Sequence, residues 1–320
     1  MDEPSDEQPH AKDTLDHTAM VDGIDQHVNH EARSVRPGSL IEAARARIRR
    51  ANGVDDQTMA DHFGAIGIGA SDRAAFEQLI GAILQESAEE LRCEQYRHLR
   101  WTDPSGASMY AHLDADSGGI QCITPFFAPT EGLARWRVQT SAPCDDAGCP
   151  HCGGVDCDIV DESGELITRA AVQWALYQPF REWLGRERSF ELEVVVFAHN
   201  IEVFPDADAF SSSPASIMGE SDEGEPLRLS PNAFMPWGMF GEGGDMSERA
   251  VARLNGPIVA AQRRENRLTG QPFWQLRIES FPGRVDVVAA AAWIEDEPKV
   301  GGHLTVDGWL VGQPHRPSLG

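Results

Sequence analysis

Positive charge is in short supply in this 320-residue chain, where 27 Lys and Arg face 51 Asp and Glu and leave a formal net charge of −24. A surface of that sign repels nucleic acid and anionic lipid at long range, and it accepts basic proteins and peptides. Long apolar runs are missing too, since none approaches the roughly 18 residues that cross a membrane as a helix. The first residues, MDEPSDEQPH, are acidic, whereas secretory and transit peptides carry positive charge near their start. Several catalytic signatures are also absent. There is no G-x-S-x-G elbow. Gly67-x-Gly69 precedes a helix-like run, but Asp72 stands where a dinucleotide fingerprint has its third glycine, and no parallel βαβ pattern follows. Asp116-Ser117-Gly118-Gly119 copies part of the segment around a trypsin-like nucleophile. The chain upstream is mostly a tail and a helix, so this reads as a turn. His112 with Asp114 and His199 with Glu202 remain as acid–base pairs, and no motif surrounds either.

What the sequence does have is a thiol array. Cys144, Cys149, Cys152 and Cys157 lie in SAPCDDAGCPHCGGVDCDIV with C-x4-C-x2-C-x4-C spacing, and they are four of the six cysteines. Strand-like runs flank them at 133–140 and 158–174, so the array reads as a metal knuckle at 144–157, on the tip of a β-hairpin. Four thiolates satisfy tetrahedral Zn2+ with no open position, which makes the expected site structural. Gly148, Gly153 and Gly154 let the backbone curl around the sulfurs. His151 lies between two ligands and points away in this reading. An iron–sulfur cluster is the rival. C-x4-C-x2-C matches a plant-type ferredoxin spacing, but there the fourth cysteine is distant and here it follows directly. A disulfide pair is the other alternative, and the lack of a secretory segment stands against it. Thiols spaced for metal and an acidic start together place the chain in the cytoplasm.

Length and a hydrophobic content of 41% point to about two domains. Residues 1–38 are polar, acidic and dotted with histidines, a tail expected to be disordered. Residues 39–57 read as a short basic helix and a linker, with Leu40, Ile41, Ala44 and Ile48 on one face. The first domain is expected over 58–205. It opens on a glycine-rich strand at 63–69, then a helix capped by Ser71 with Phe76, Leu79, Ile80, Ile83 and Leu84 at helical spacing. Strands with tight turns follow, among them Asp103-Pro104-Ser105-Gly106. One main helix before many strands indicates an α+β fold with an antiparallel sheet. A partly flexible connector spans 206–248, and its segment 231–240 is too apolar to stand in water and is expected to pack between the domains. Residues 249–320 are a string of short strands. Trp274, Leu276 and Ile278 alternate there with Gln275, Arg277 and Glu279. So short a sheet has to close on itself to hide its edges, as a small C-terminal OB-like or SH3-like β-barrel.

The runs ARLNGPIVAAQRRENRLTGQPFWQLRIESFPGRVDVV, EPKVGG and GWLVGQ resemble the C-terminal barrel of uncharacterised bacterial two-domain proteins. HNIEVFPDADAF and PNAFMPWGMFG resemble the strand and connector that precede it there. The resemblance covers residues 190–315. It implies an OB-like barrel with no catalytic set, and the knuckle is no part of it. In architecture the chain is also similar to peptide-binding proteins of crocagin-type ribosomal peptide biosynthesis.

OB-like barrels hold extended ligands along one face. Arg263, Arg264, Arg267 and Arg277, with Phe273 and Trp274, make a local basic–aromatic patch. Such a patch suits single-stranded nucleic acid or an acidic peptide. The net charge counts against nucleic acid, which leaves a peptide or protein partner, bound partly by strand addition. The expectation is a non-catalytic binding or scaffold protein with a structural zinc knuckle. A single-stranded nucleic-acid-binding OB protein and a metal-dependent enzyme are the alternatives.

Overall fold

Strand-like alternation runs through most of the sequence, and strands make most of the structure: the fold is mostly β, with few helices. The computed structural model describes residues 62–70, 72–87, 89–93, 96–114, 116–146, 152–184, 189–240 and 246–315. The expected tail and basic helix, within residues 1–57, lie outside them.

The main helix of the small sheet, α1 (Arg73–Glu86), begins one residue after Asp72, whose Oδ1 accepts from the Ala75 N–H at 2.9 Å. Asp72, rather than the neighbouring Ser71, is therefore the cap. Ile80 and Ile83 of α1 are buried. Four antiparallel strands follow in chain order: β1 (Glu89–Cys93), β2 (Tyr96–Thr102), β3 (Ala107–Asp114) and β4 (Ile120–Phe127). The β2–β3 turn is set by Asp103, whose carboxylate accepts from the Ser105 N–H at 2.9 Å, and by Gly106 at φ 91°. Residues 63–69 do not form the expected strand. Residues 62–64 are helical and 65–67 turn. Gly67 takes φ 74°, and a Cβ there would come within 2.8 Å of the Gln271 carbonyl. Phe63, Ala65, Ile66 and Ile68 are buried by this turn. Apolar residues spaced by glycines read alike in a buried strand and in a buried turn.

The large sheet is built from two runs of four strands. The first is β5 (Arg135–Asp145), β6 (Gly153–Val160), β7 (Leu166–Trp174) and, after α2 (Tyr177–Leu184), β8 (Ser189–Phe204). A connector then carries α3 (Ala207–Ser212), the hairpin β9 (Ile217–Glu220) and β10 (Pro226–Arg228), β11 (Phe234–Met235) and α4 (Met246–Arg249). The second run is β12 (Val251–Glu265), β13 (Pro272–Ser280), β14 (Gly283–Ala290) and β15 (His303–Pro314). The strand order is β11-β12-β13-β14-β8-β15-β7-β6-β5, with further pairings of β12 with β15 and β8 with β5 that curl the sheet into a ring.

Two closed circuits share β8 and β15: β12-β13-β14-β8-β15 and β5-β6-β7-β15-β8. Each has an antiparallel three-strand meander and one parallel junction, β14 with β8 or β7 with β15. The two halves therefore repeat one connectivity, and the last strand of each also enters the circuit of the other. This arrangement hides sheet edges, which would otherwise present unpaired backbone groups. It also means that β8 lies between β14 and β15, so the C-terminal strands do not close a circuit by themselves. Both strands are long; β15 is buried almost throughout and β8 through its middle, Val194 to Ala198, as stretches covered on both faces must be. One continuous core runs through both halves, from Trp136, Val155 and Val172 to Leu276, Val287 and Leu310. Each such side chain contributes about 1.5–3 kcal/mol through burial.

The connector is held on this body. Phe234 is buried, with its ring centroid 5.7 Å from that of Trp136, while Phe240 at the far end of 231–240 stays exposed. Buried Arg253 on β12 donates to the Ala215 carbonyl at 3.1 Å and to Thr305 Oγ1 at 3.2 Å, and lies 3.6 Å from Asp307. That cation, half on the connector and half on β15, fixes the segment's path.

Candidate functional site

The four cysteines of the array do not share one environment. In the β5–β6 hairpin Cys144 stands opposite Gly154, and the Asp146 N–H donates to the Cys152 carbonyl at 3.2 Å. Cys149 lies outside the described residues. Cys157 is five positions beyond Cys152, an odd separation that puts the two on opposite faces of an extended strand. Cys157 is in the core, its Sγ 3.4 Å from the Ala170 carbonyl, and burial pushes its thiol far above the ordinary range. Cys144 is half-buried beside Arg249, whose Nη1 reaches its Sγ at 3.7 Å and whose Nη2 donates to Asp156. Burial raises the Cys144 thiol as well. Cys152 is half-buried and disulfide-bonded.

A fifth cysteine, which the spacing did not single out, meets Cys152. Cys122 on β4 has its Sγ 3.4 Å from the Cys152 Sγ. Behind it lies a polar row set by register, since His98, His112 and Cys122 pair across β2, β3 and β4 and so share a face. His98 and His112 are buried with their Nδ1 atoms 2.8 Å apart, and Thr124 Oγ1 is 3.4 Å from His112 Nε2. Burial raises the Cys122 thiol, hydrogen bonds with Thr124 and the Ile123 backbone oppose that, and the charge of Asp146 adds to it. Among the described residues no three of His, Cys, Asp and Glu gather closely enough to hold a metal ion. Cys122 and Cys152 supply two sulfurs. When reduced, such a pair is a donor set for a soft cation.

The hairpin tip is positioned by its glycines and by α2. A Cβ on Gly153 would run into the Tyr177 ring, and one on Gly154 into the Val172 carbonyl, so β6 can pass α2 and β7 only without side chains there. Asp145 accepts from Tyr177 Oη at 2.7 Å and from Arg181 Nε and Nη2 at 2.7 Å each. The Arg181 bonds first, then Tyr177, hold its carboxyl down to about 2.

The basic–aromatic residues are placed largely against the chain itself. Arg264 donates to Gln275 Oε1 at 2.7 Å, to the Ser105 carbonyl at 3.0 Å and to Glu131, and lies over the Phe127 ring. Arg267 donates to Glu86 at 2.9 Å, and its backbone N–H to Asp103 at 3.2 Å. Arg277 grips buried Asp286 and donates to the Gly132 carbonyl at 3.1 Å. Phe273 is buried against Phe127, ring centroids 6.0 Å apart. Arg263 is exposed and pairs across the sheet with half-buried Trp274. The strand face carrying Phe273, Gln275 and Arg277 is thus roofed by the small sheet and the 129–134 loop.

The two acid–base pairs separate. Asp114 accepts from Ser117 N and Oγ at 2.7 Å each, so the DSGG stretch is a turn and Asp114 serves it. His199 does not turn to Glu202, which is exposed. It is the extra residue in a bulge of β8, where Asn200 pairs with Asp307 and Ala198 with Gly308. Its Nε2 lies 2.6 Å from the Nε2 of His62, which stacks on Trp309 at 4.3 Å. Burial lowers both imidazoles, His62 to about 3 with help from His199, and His199 to about 4. Both are neutral near pH 7, and one donates to the other. No family model, curated protein or solved structure matches this chain.

Proposed function

We propose that this protein is a non-catalytic binding or scaffold protein for a basic peptide or protein segment, with a structural zinc ion at the β5–β6 hairpin. The observation that carries the reading is where the cations go. Arg264, Arg267 and Arg277 are engaged with Glu131, Glu86, Asp103 and Asp286 of the same chain. Groups that would otherwise attract phosphate are thereby neutralised internally. Acidic side chains stay exposed, including Glu220, Asp222, Glu223 and Glu225 around the β9–β10 hairpin. A surface of this kind steers a cationic partner and deters a polyanion. β1 is an outer strand of the small sheet, a place for strand addition.

Connectivity supports an OB-like reading of the circuits. A meander joined through a parallel pair to two antiparallel strands is the order of a small OB-like barrel. In β5-β6-β7-β15-β8 the strands follow that order directly, and in β12-β13-β14-β8-β15 one strand comes from earlier in the chain. The resemblance of residues 190–315 to bacterial two-domain proteins belongs to the same proposal, because that span includes β8 with the strands it completes. The zinc part of the proposal rests on the C-x4-C-x2-C-x4-C spacing of Cys144, Cys149, Cys152 and Cys157, and it requires that the disulfide at Cys152 be reduced.

Fluorescence anisotropy tests the reading with three labelled probes: a Lys/Arg-rich peptide, an acidic peptide and an oligothymidylate, each at about 50 mM and about 200 mM salt. The basic peptide should bind and weaken with salt, and the oligothymidylate should not bind. Tight oligothymidylate binding with a steep salt slope would establish the nucleic-acid alternative, and silence of the basic peptide would end the proposal.

A further inference from the structure

We propose that Cys122 on β4 is the internal nucleophile for the disulfide at Cys152, so that the oxidised chain exchanges that bond for a Cys122–Cys152 bond between the small sheet and the β5–β6 hairpin. This goes beyond the binding function proposed above. It concerns the oxidised chain, whereas the zinc part of that function concerns the reduced one.

Geometry carries the inference. Cys152 is disulfide-bonded, and Cys122 is a free thiol. Their sulfurs are 3.4 Å apart. A thiol therefore lies against a disulfide sulfur, at the separation of about 3–3.5 Å from which well-placed groups react. Both sides of the contact are anchored by the fold. Cys122 is held in register opposite His112 on β3. Cys152 directly precedes Gly153, whose backbone lies against the Tyr177 ring.

Cys144 and Cys157 are free thiols as well, and each is placed elsewhere. Cys144 Sγ has Arg249 Nη1 at 3.7 Å. Cys157 is in the core on the other face of β6, its sulfur at the Ala170 carbonyl. The present partner of Cys152 is therefore one of the two cysteines that remain, Cys93 or Cys149.

The step balances within the chain. Cys122 gives up its proton and attacks Cys152 Sγ. The Cys122–Cys152 bond forms as the bond from Cys152 to its present partner breaks. That partner leaves with the electron pair as thiolate and takes up a proton in place of the one Cys122 released. One disulfide stands before and after, so no oxidant or reductant is consumed. Burial is the largest effect on Cys122 and keeps it as thiol, while its hydrogen bond with Thr124 favours the thiolate that attacks. Exchange should accordingly be slow, over the minutes to hours of an uncatalysed disulfide rearrangement. The new bond ties the small sheet covalently to the hairpin across thirty residues of sequence.

The test uses the full chain, purified without reductant and held folded at about pH 8, where free thiols begin to ionise. Thiols are trapped with N-ethylmaleimide at intervals, and disulfide-linked peptides are mapped by mass spectrometry without reduction. Wild type should yield a Cys122–Cys152 peptide beside the peptide that links Cys152 to Cys93 or Cys149. The total of free thiols should stay constant, and the ratio of the two linkages should not change with protein concentration. Cys122→Ser should keep a single linkage, and Cys157→Ala should exchange like wild type. The wild-type map stands whether or not a variant folds. Cys122 fully alkylated after a day, with one linkage only, would overturn the proposal. So would a Cys122–Cys152 peptide found only in denaturant, a ratio that follows protein concentration, or a chain in which Cys152 carries no disulfide at all.

Discussion

His62 and His199 are held to about 3 and about 4 by burial, against roughly 6.5 for an imidazole in an unfolded chain. The folded values lie below the unfolded one, so between them the unfolded state binds the extra protons. Stability from this pair is complete above about pH 6.5 and declines as pH falls toward about 4. The melting temperature should therefore drop between about pH 6.5 and about pH 5, and His62→Phe, which keeps an aromatic ring on Trp309, should reduce that slope by about half. An unchanged slope would show that other groups set the acid limit. A second residue carries a larger load at neutral pH. Asp286 is buried and accepts from Arg277, from Gln275 Nε2 at 3.1 Å and from the Ala134 N–H at 2.7 Å. Asp286→Ala would leave that guanidinium with no counter-charge at its site, and should cost about 3 kcal/mol in denaturant unfolding.

At the scale of elements, the β5–β6 hairpin offers a contrast between packing and surface charge. Gly153→Ala forces a methyl group into the Tyr177 ring and should cost about 1–3 kcal/mol, with faster hydrogen exchange in β5 and β6. Asp145→Asn removes a salt bridge whose partners are about half exposed, and should change stability by less than about 1 kcal/mol. Equal effects from the two would mean that the α2 clamp, rather than close approach of the backbone, positions the tip. Element boundaries were widely legible from sequence. The strand-like run 158–174 holds the end of β6 and all of β7 with a turn between them, and the turns at Asp103-Pro104-Ser105-Gly106 and Asp116-Ser117-Gly118-Gly119 are turns, because period-two alternation and turn residues act locally. Residues 63–69 have a strand-like pattern and yet turn, because burial selects apolar residues in a strand and in a turn alike.

For the whole molecule, Arg264 joins two bodies of the fold. It reaches from β12 to the Ser105 carbonyl, to Glu131 and over Phe127. Arg264→Ala should loosen β2–β4 by about 1–3 kcal/mol of local opening free energy in hydrogen exchange, while the shared strands β8 and β15 keep their protection. Uniform loss of protection would instead show that the small sheet and the ring unfold as one unit.

The sequence by itself determined the local matters: where strands run, where glycine and aspartate turn them, which face of β13 is apolar, and that the hairpin carries thiols at metal-like spacing. The tertiary structure alone decided which strands become neighbours. β8 and β15 lie side by side although their starts are separated by more than one hundred residues, and neither strand's alternation names its partner. The same holds for side chains. Cys122 and Cys152 are thirty residues apart, and Arg264 and Glu131 are farther still. Alternation reports how a residue faces its own strand's two sides. It carries no information about which other segment, with what charge or sulfur, closes over that side, because that choice follows from chain closure and register across the whole sheet.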